Sequence, residues 1–238
     1  MNEVPGLARG RILEMEVMDE ANEVKAYLDG VATAHLDRMD DTFVAAALRK
    51  LAAWRAARGR PAPRALDIGT GTGALPVKMA LKHSGVVVTG VDMSRHMLAS
   101  ARERARAAGV SGRVRFRIAD GRRLPFPDAT FDLVVSNSML HHIPDPAPVM
   151  DEMARVLRHG GALFVRDLRR PHPSVIERHI RRHGRHYRGT MLRLFSDSVR
   201  AAFTDSELRA IVARSALGDV PGTRVRRMFS TYLVLEAP

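Results

Sequence analysis

Hydrophobic and polar positions along this chain follow two different periods, and the switches between them outline its elements. From residue 64 to 168, apolar runs of strand length alternate with longer stretches of helical period. Ala65-Leu66-Asp67-Ile68 reads as the end of a buried strand, and Ala74 to Leu81 as a helix. Gly85 to Val91 is a second buried strand. Ser94 then caps a helix that runs to Ala108 and stops at Gly109. Arg113 to Ile118 alternates charged with apolar residues, the pattern of a half-exposed strand. Phe131 to Ser136 is a fourth strand, Pro146 to Leu157 a helix, and Ala162 to Leu168 a strand that follows the Gly160-Gly161 turn. Strands alternating with helices predict an α/β fold with a doubly wound, mostly parallel sheet.

The flanks are less regular. Val17 to Gly30 holds a short helical pattern. Asp40-Asp41-Thr42-Phe43 offers an N-cap for a helix over Val44 to Ala57, with an apolar stripe at Val44, Leu48, Leu51 and Trp54. Gly59-Arg60-Pro61-Ala62-Pro63 ends it. Residues 169–203 read as a helical insertion. Thr204-Asp205-Ser206-Glu207 is a capping box opening a helix to Ala216, and two strands follow, Thr223 to Phe229 and Thr231 to Leu235. The chain divides into 1–63, 64–168, 169–203 and 204–238.

Candidate chemistry sits at the strand ends. Gly69, Gly71 and Gly73 follow the first strand and precede a helix, so backbone N–H groups and a close approach are available to a phosphate or nucleoside. Gly69-x-Gly71-x-x-Ala74 also fits a variant of the dinucleotide fingerprint, which keeps NAD(P) in view. Asp92 ends the second strand, 19 residues beyond Gly73, where a carboxylate can accept both hydroxyls of a ribose. Asn137, Ser138, His141 and His142 stand after the fourth strand. His141 is the better candidate for a general base, and His142 reads as structural.

Read in order, Asp67-Ile-Gly-Thr-Gly-Thr-Gly, Val91-Asp92-Met93-Ser94, Ile118-Ala119-Asp120-Gly121, Leu124-Pro125-Phe126, Phe131 to Asn137, His141-His142-Ile143-Pro144-Asp145-Pro146 and Val156 to Gly161 resemble the class I S-adenosyl-L-methionine (SAM)-dependent methyltransferases. The resemblance implies a Rossmann-like, seven-stranded sheet with an antiparallel last strand. It implies SAM as cofactor, held by Asp67, Gly69, Thr70, Gly71, Gly73, Asp92, Asp120, Gly121 and Asn137. Asp120 would accept from the adenine amine while the Gly121 N–H faces the ring. Met93 either covers one face of the adenine or packs in the core. Tyr27 resembles a tyrosine that contacts the methionine part of SAM. The N-terminal helices would cover the cofactor end of the sheet, and the insertion would cap the acceptor mouth.

Composition narrows the partners. The net charge is +12, and 34 of the 38 basic residues are Arg. Residues 169–203 alone carry nine Arg, four His and two acids, Glu177 and Asp197. Tyr187 and the arginines at 170, 181, 182, 185 and 188 could meet an anionic acceptor. An RNA partner is the rival, although aromatic residues for base stacking make up only 5% of the chain. The absence of cysteine excludes disulfides and thiolate metal sites. His179, His183 and His186 share one face if helical, but Gly184 interrupts that helix, so no metal is expected. No apolar run approaches the ~20 residues of a membrane span. With no secretion-type N-terminus, a cytoplasmic protein without a membrane partner is expected. The leading expectation is methyl transfer to a small molecule, anionic if the insertion's arginines meet it. The alternatives are an RNA methyltransferase, an enzyme using SAM as its sole substrate by intramolecular cyclisation, and a non-catalytic SAM-binding protein.

Overall fold

The computed structural model describes residues 10–13, 34–58 and 62–238. Seven strands form one sheet: β1 (Arg64–Ile68), β2 (Val87–Asp92), β3 (Val114–Ile118), β4 (Phe131–Asn137), β5 (Leu157–Leu168), β6 (Arg224–Met228) and β7 (Tyr232–Ala237). Their spatial order is β3-β2-β1-β4-β5-β7-β6. The first five pair in parallel, while β7 runs antiparallel to both β5 and β6. The order reverses at β1, with β2 on one side and β4 on the other. At such a switch point the loops diverge and leave a crevice at the carboxyl ends of the strands.

The period of two sorts the core onto both faces of the sheet. Leu66, Val134, Leu163 and Val165 point to one face, against α4 (Ala147–Val156) and α7 (Asp205–Ala213). Ala65, Leu133, Val135 and Phe164 point to the other, against α1 (Ala34–Arg58) and α2 (Ala74–Lys82). There the Phe43 and Phe164 rings lie 5.0 Å apart. The remaining core helix, α3 (Arg95–Ala107), is capped by Ser94, whose Oγ accepts from Met97 N at 3.1 Å.

Three expectations change, the first being that Gly160-Gly161 lies inside β5, which starts at Leu157, rather than turning into it. Helix α1 runs unbroken through Asp40-Asp41-Thr42, so those residues cap nothing. Asp41 instead bridges Lys78 at 3.1 Å and Lys82 at 3.0 Å on α2, and interhelical pairing replaces the cap. The helix before β6 ends at Ala213 rather than Ala216, and a 3-10 turn over Ala216–Asp219 follows. The capping box itself forms: Glu207 Oε2 accepts from Thr204 N at 2.8 Å, and Thr204 Oγ1 accepts from Glu207 N at 3.3 Å. The Val17 to Gly30 pattern, with Tyr27, lies outside the described residues, as does the Trp54 side chain.

The insertion is helical as expected: α5 (Ile176–His183) and α6 (Gly189–Ala201), joined through a 3-10 turn over Gly184–His186. Ile180 and Val199 bury against Leu168 and Ala202, which seats the pair beside the end of β5. Arg11 ties this region to the loop after β4. Its guanidinium donates to the carbonyls of Ala201 (2.7 Å), His141 (2.9 Å) and Pro144 (3.0 Å), and lies 3.8 Å from the centre of the Phe203 ring.

Candidate active site

At the crevice, β1 runs into three glycines with positive φ: Gly69 at 72°, Gly71 at 52° and Gly73 at 71°. Only glycine adopts this left-handed conformation without strain. The amides of Gly69 and Thr70 both reach the carbonyl of Val91 at 2.9 Å, which pins the loop to the end of β2. A Cβ on Gly69 would strike Met139, and one on Gly73 would strike Phe116 and Ala101. A Cβ on Gly71 would meet nothing within 4 Å. Gly71 therefore presents bare backbone to open space, as a cradle for a ligand requires.

Carboxylates surround that space. Both Asp92 oxygens bind backbone amides, Oδ2 from Gly71 at 2.8 Å and Oδ1 from Ser94 at 2.9 Å. Asp92 thus braces the glycine loop and stands at the carboxyl end of β2. Asp67 is buried. Its Oδ2 accepts from Thr70 Oγ1 at 2.7 Å, while its Oδ1 has no partner. Burial, with the nearby charges of Asp92 and Asp40, pushes its carboxyl up to about 7 against the Thr70 hydrogen bond. A buried carboxylate oxygen without a donor is costly, and the ammonium of a methionine-like ligand would satisfy it. Met93 and Ile118, at the ends of β2 and β3, are 40% and 41% exposed. That settles against core packing for Met93. Asp120 lies beyond them and is held in a bidentate pair by Arg122, whose Nε donates to Oδ1 at 3.0 Å and Nη2 to Oδ2 at 2.8 Å. Burial works to raise its carboxyl, but the Arg122 hydrogen bonds outweigh this and leave it below the usual range. An adenine amine would share that carboxylate with Arg122. Gly121 sits against Ile68 and Val149. The residues present fit a nucleoside carrying an amino-acid tail.

On the far side of the loop, β4 and β5 end side by side and send consecutive residues to opposite faces. Arg166 goes to the α1 face. It is 2% exposed and makes no carboxylate pair among the described residues. Its Nε donates to Asn137 Oδ1 at 2.8 Å, and its Nη1 to Met39 O at 3.0 Å. The Phe43 and Tyr232 rings lie 5.1 and 5.0 Å from it. Asp40, on α1, is pushed up to about 6 by burial, with Arg166 and Lys78 opposing the rise.

Asp167 goes to the other face and meets His141. The His141 Nδ1 to Asp167 Oδ1 distance is 2.5 Å, and both side chains are buried. Asp167 also accepts from the amides of Leu140 (2.6 Å) and Leu168 (2.6 Å). Burial alone would raise this carboxyl, but the His141 charge and these hydrogen bonds hold it below its usual range. His142 stacks on His141 with ring centres 4.3 Å apart. The sequence reading reached His141 and missed Asp167. The signal was present, since an acid at the end of a parallel strand is the feature that singled out Asp92.

The three histidines of the insertion part company. His179 and His183 stack at 4.3 Å, His183 faces Ser230 and Thr231, and His186 accepts from Arg185. Among the described residues no three His, Asp or Glu side chains converge as metal ligands.

Fold and site define a class I SAM-dependent methyltransferase domain, and residues 66–165 match the family model described as "Methyltransferase domain". The chain carries that domain, whose cofactor is SAM. Among curated proteins it is similar to 27-O-demethylrifamycin SV methyltransferase of Amycolatopsis mediterranei, 44% identical over 50% of this chain and 43% of that one. It is also similar to phosphatidylethanolamine N-methyltransferase of Cereibacter sphaeroides, 42% identical over 49% of this chain and 55% of that one. The chain therefore matches about half the length of these relatives. A likeness in fold alone links it to magnesium protoporphyrin IX methyltransferase of Synechocystis, solved with bound S-adenosylhomocysteine: TM-score 0.61, 18% identity, 91% of this chain and 94% of that one. No helix among the described residues is long and apolar enough to cross a membrane.

Proposed function

We propose that this protein transfers the methyl group of SAM to a hydroxyl of a small molecule, with His141 as general base and Asp167 as its positioning residue. The observation that carries this reading is the buried His141–Asp167 pair beside the glycine loop. A thiolate or carboxylate acceptor needs no base, whereas a hydroxyl must lose its proton during attack. Bound SAM supplies an electrophilic methyl on a sulfonium. Asp67, Asp92, Asp120 and Asn137 bind and orient the cofactor, with the Gly69 to Gly73 loop as its cradle and Met93 over the adenine. Asp167 accepts from Nδ1–H and so fixes the tautomer in which Nε2, across the ring, takes the acceptor's proton. The imidazolium formed is stabilised by the ionised Asp167. Two relatives that O-methylate by name, the rifamycin enzyme and "O-methyltransferase rstn1" of Aspergillus nomiae, support oxygen as the acceptor atom.

The test uses SAM labelled on its methyl group, incubated with the protein and a cell extract that is then separated into small-molecule, protein and RNA fractions. Label in an alkali-stable small-molecule ether supports the reading. Label in RNA, or SAM consumed with no label transferred, overturns it. With the acceptor in hand, His141→Ala is expected to lower kcat about 10²–10⁴-fold with SAM affinity unchanged.

A further inference from the structure

Beyond the cofactor site, the insertion carries a charge stripe that the reaction does not use. Arg178, Arg181 and Arg182 recur at i, i+3 and i+4 on one face of α5, and Arg185 follows in the 3-10 turn over Gly184–His186. All four are exposed, and none meets a carboxylate among the described residues. The opposite face of α5 buries His179 and Ile180. Nearby arginines are different. Arg224 and Arg226 pair with Glu236, Arg227 pairs with Asp205, and Arg200 pairs with Glu177. The outer face of α5 and the turn after it thus carry four exposed cations with no carboxylate partner among the described residues.

Beside this stripe stands an apolar projection. The turn between β6 and β7 is Phe229-Ser230-Thr231, and His183, the last residue of α5, reaches the hydroxyls of Ser230 and Thr231. Arg169 donates to Ser230 O at 3.2 Å and fixes the turn from the other side. Phe229 sits at φ 56°, a left-handed conformation unfavourable to a bulky side chain, and its ring is 72% exposed. Leu192, which approaches Gly184 at the same end of α5, is also exposed. Tyr187 is buried against Phe195, so it is not available to stack on a base.

We propose that this face docks on an anionic lipid bilayer, with Phe229 entering the interface and the α5 arginines meeting the headgroup charge. Cations flanking an apolar wedge match a surface that is negative outside and apolar just below. RNA would meet the same cations but gives Phe229 and Leu192 no apolar layer to enter, and the patch holds one exposed aromatic rather than a row of stacking platforms. Such docking is peripheral and needs no membrane-spanning segment. It is independent of the acceptor assigned above.

The test is co-sedimentation of the full chain with phosphatidylcholine vesicles, with and without phosphatidylglycerol. Binding is expected only to the anionic vesicles, and should weaken with added salt. Reversing Arg181, Arg182 and Arg185 together to Glu should lower partitioning by at least about tenfold. Phe229→Gly removes the ring and relieves the left-handed strain, so loss of binding by that variant would not come from unfolding. Thermal melting and SAM affinity should be unchanged in both variants. Equal binding to neutral vesicles, undiminished binding by the triple variant or by Phe229→Gly, or displacement from vesicles by an equal mass of duplex RNA would each overturn the proposal.

Discussion

Asp67 carries a conflict between stability and binding. Its Oδ1 is buried without a donor, and its carboxyl is pushed up to about 7, chiefly by burial. The unfolded chain releases that proton near the ordinary value of 3.8, whereas the folded protein holds it until about pH 7. Between those values the folded state binds the extra proton, so this group makes stability fall as pH rises through the window. In the proposed complex SAM binding runs the other way, because a cationic tail at Asp67 would favour the ionised carboxylate. SAM affinity is therefore expected to rise from about pH 6 to about pH 8 in titrations by calorimetry. In Asp67→Asn that rise should flatten, and SAM should bind at least about tenfold more weakly. The ligand-free variant should meanwhile be more stable than wild type at pH 8, by about 1–2 kcal/mol. Asp167 is the contrasting case, a buried acid whose donors hold it ionised. Asp167→Asn should leave SAM affinity intact and lower kcat, with the loss confined to the step that needs the base.

The β1 loop shows how far the sequence reaches at the scale of an element. Three glycines at alternate positions and a helix behind them were enough to place the β1 loop with its positive-φ glycines, and the position of Asp92 at the end of β2 followed from strand length alone. Tertiary neighbours were not legible. Nothing local marks Met139 as the side chain that fills the space left by the missing Cβ of Gly69, at 2.3 Å from where that Cβ would stand. Arg166 and Asp167 were visible as residues of a strand, but their separate roles depend on which helix covers which face. The continuous α1 was also hidden, because Asp40-Asp41-Thr42 is as good a cap as any, and only the lysines of α2 decide otherwise. Gly69→Ala is expected to cost about 1–3 kcal/mol in chemical denaturation, since it adds left-handed strain to a clash with Met139. It should lower kcat as well as SAM affinity, because Met139 leads directly into the turn that bears His141.

Across the whole molecule, shared and particular features separate cleanly. The family match ends at Val165, one residue before Arg166 and two before Asp167. The cofactor half of the crevice lies within the matched segment, while Asp167, the insertion and the Phe229 turn lie beyond it. The composition gave +12 and no way to locate it. Folding pairs the arginines of β6 with carboxylates and leaves those of α5 without such partners among the described residues, so part of that charge stands on one helix face. The proposed vesicle binding and methyl transfer would draw on different parts of the molecule, so the α5 charge reversals should weaken the first in sedimentation assays while leaving turnover of a water-soluble acceptor unaltered.

The contact between Gly69 and Met139 has a kinetic consequence. The glycine loop and the turn that bears His141, the proposed base, share one packed side chain, so a shift of the first on cofactor binding would be carried to the second. Substrates should then enter in a compulsory order, SAM leading and its demethylated product leaving last. Initial-rate measurements should show S-adenosylhomocysteine competing with SAM while acting noncompetitively towards the acceptor, and a random order of entry would mean that Met139 transmits nothing.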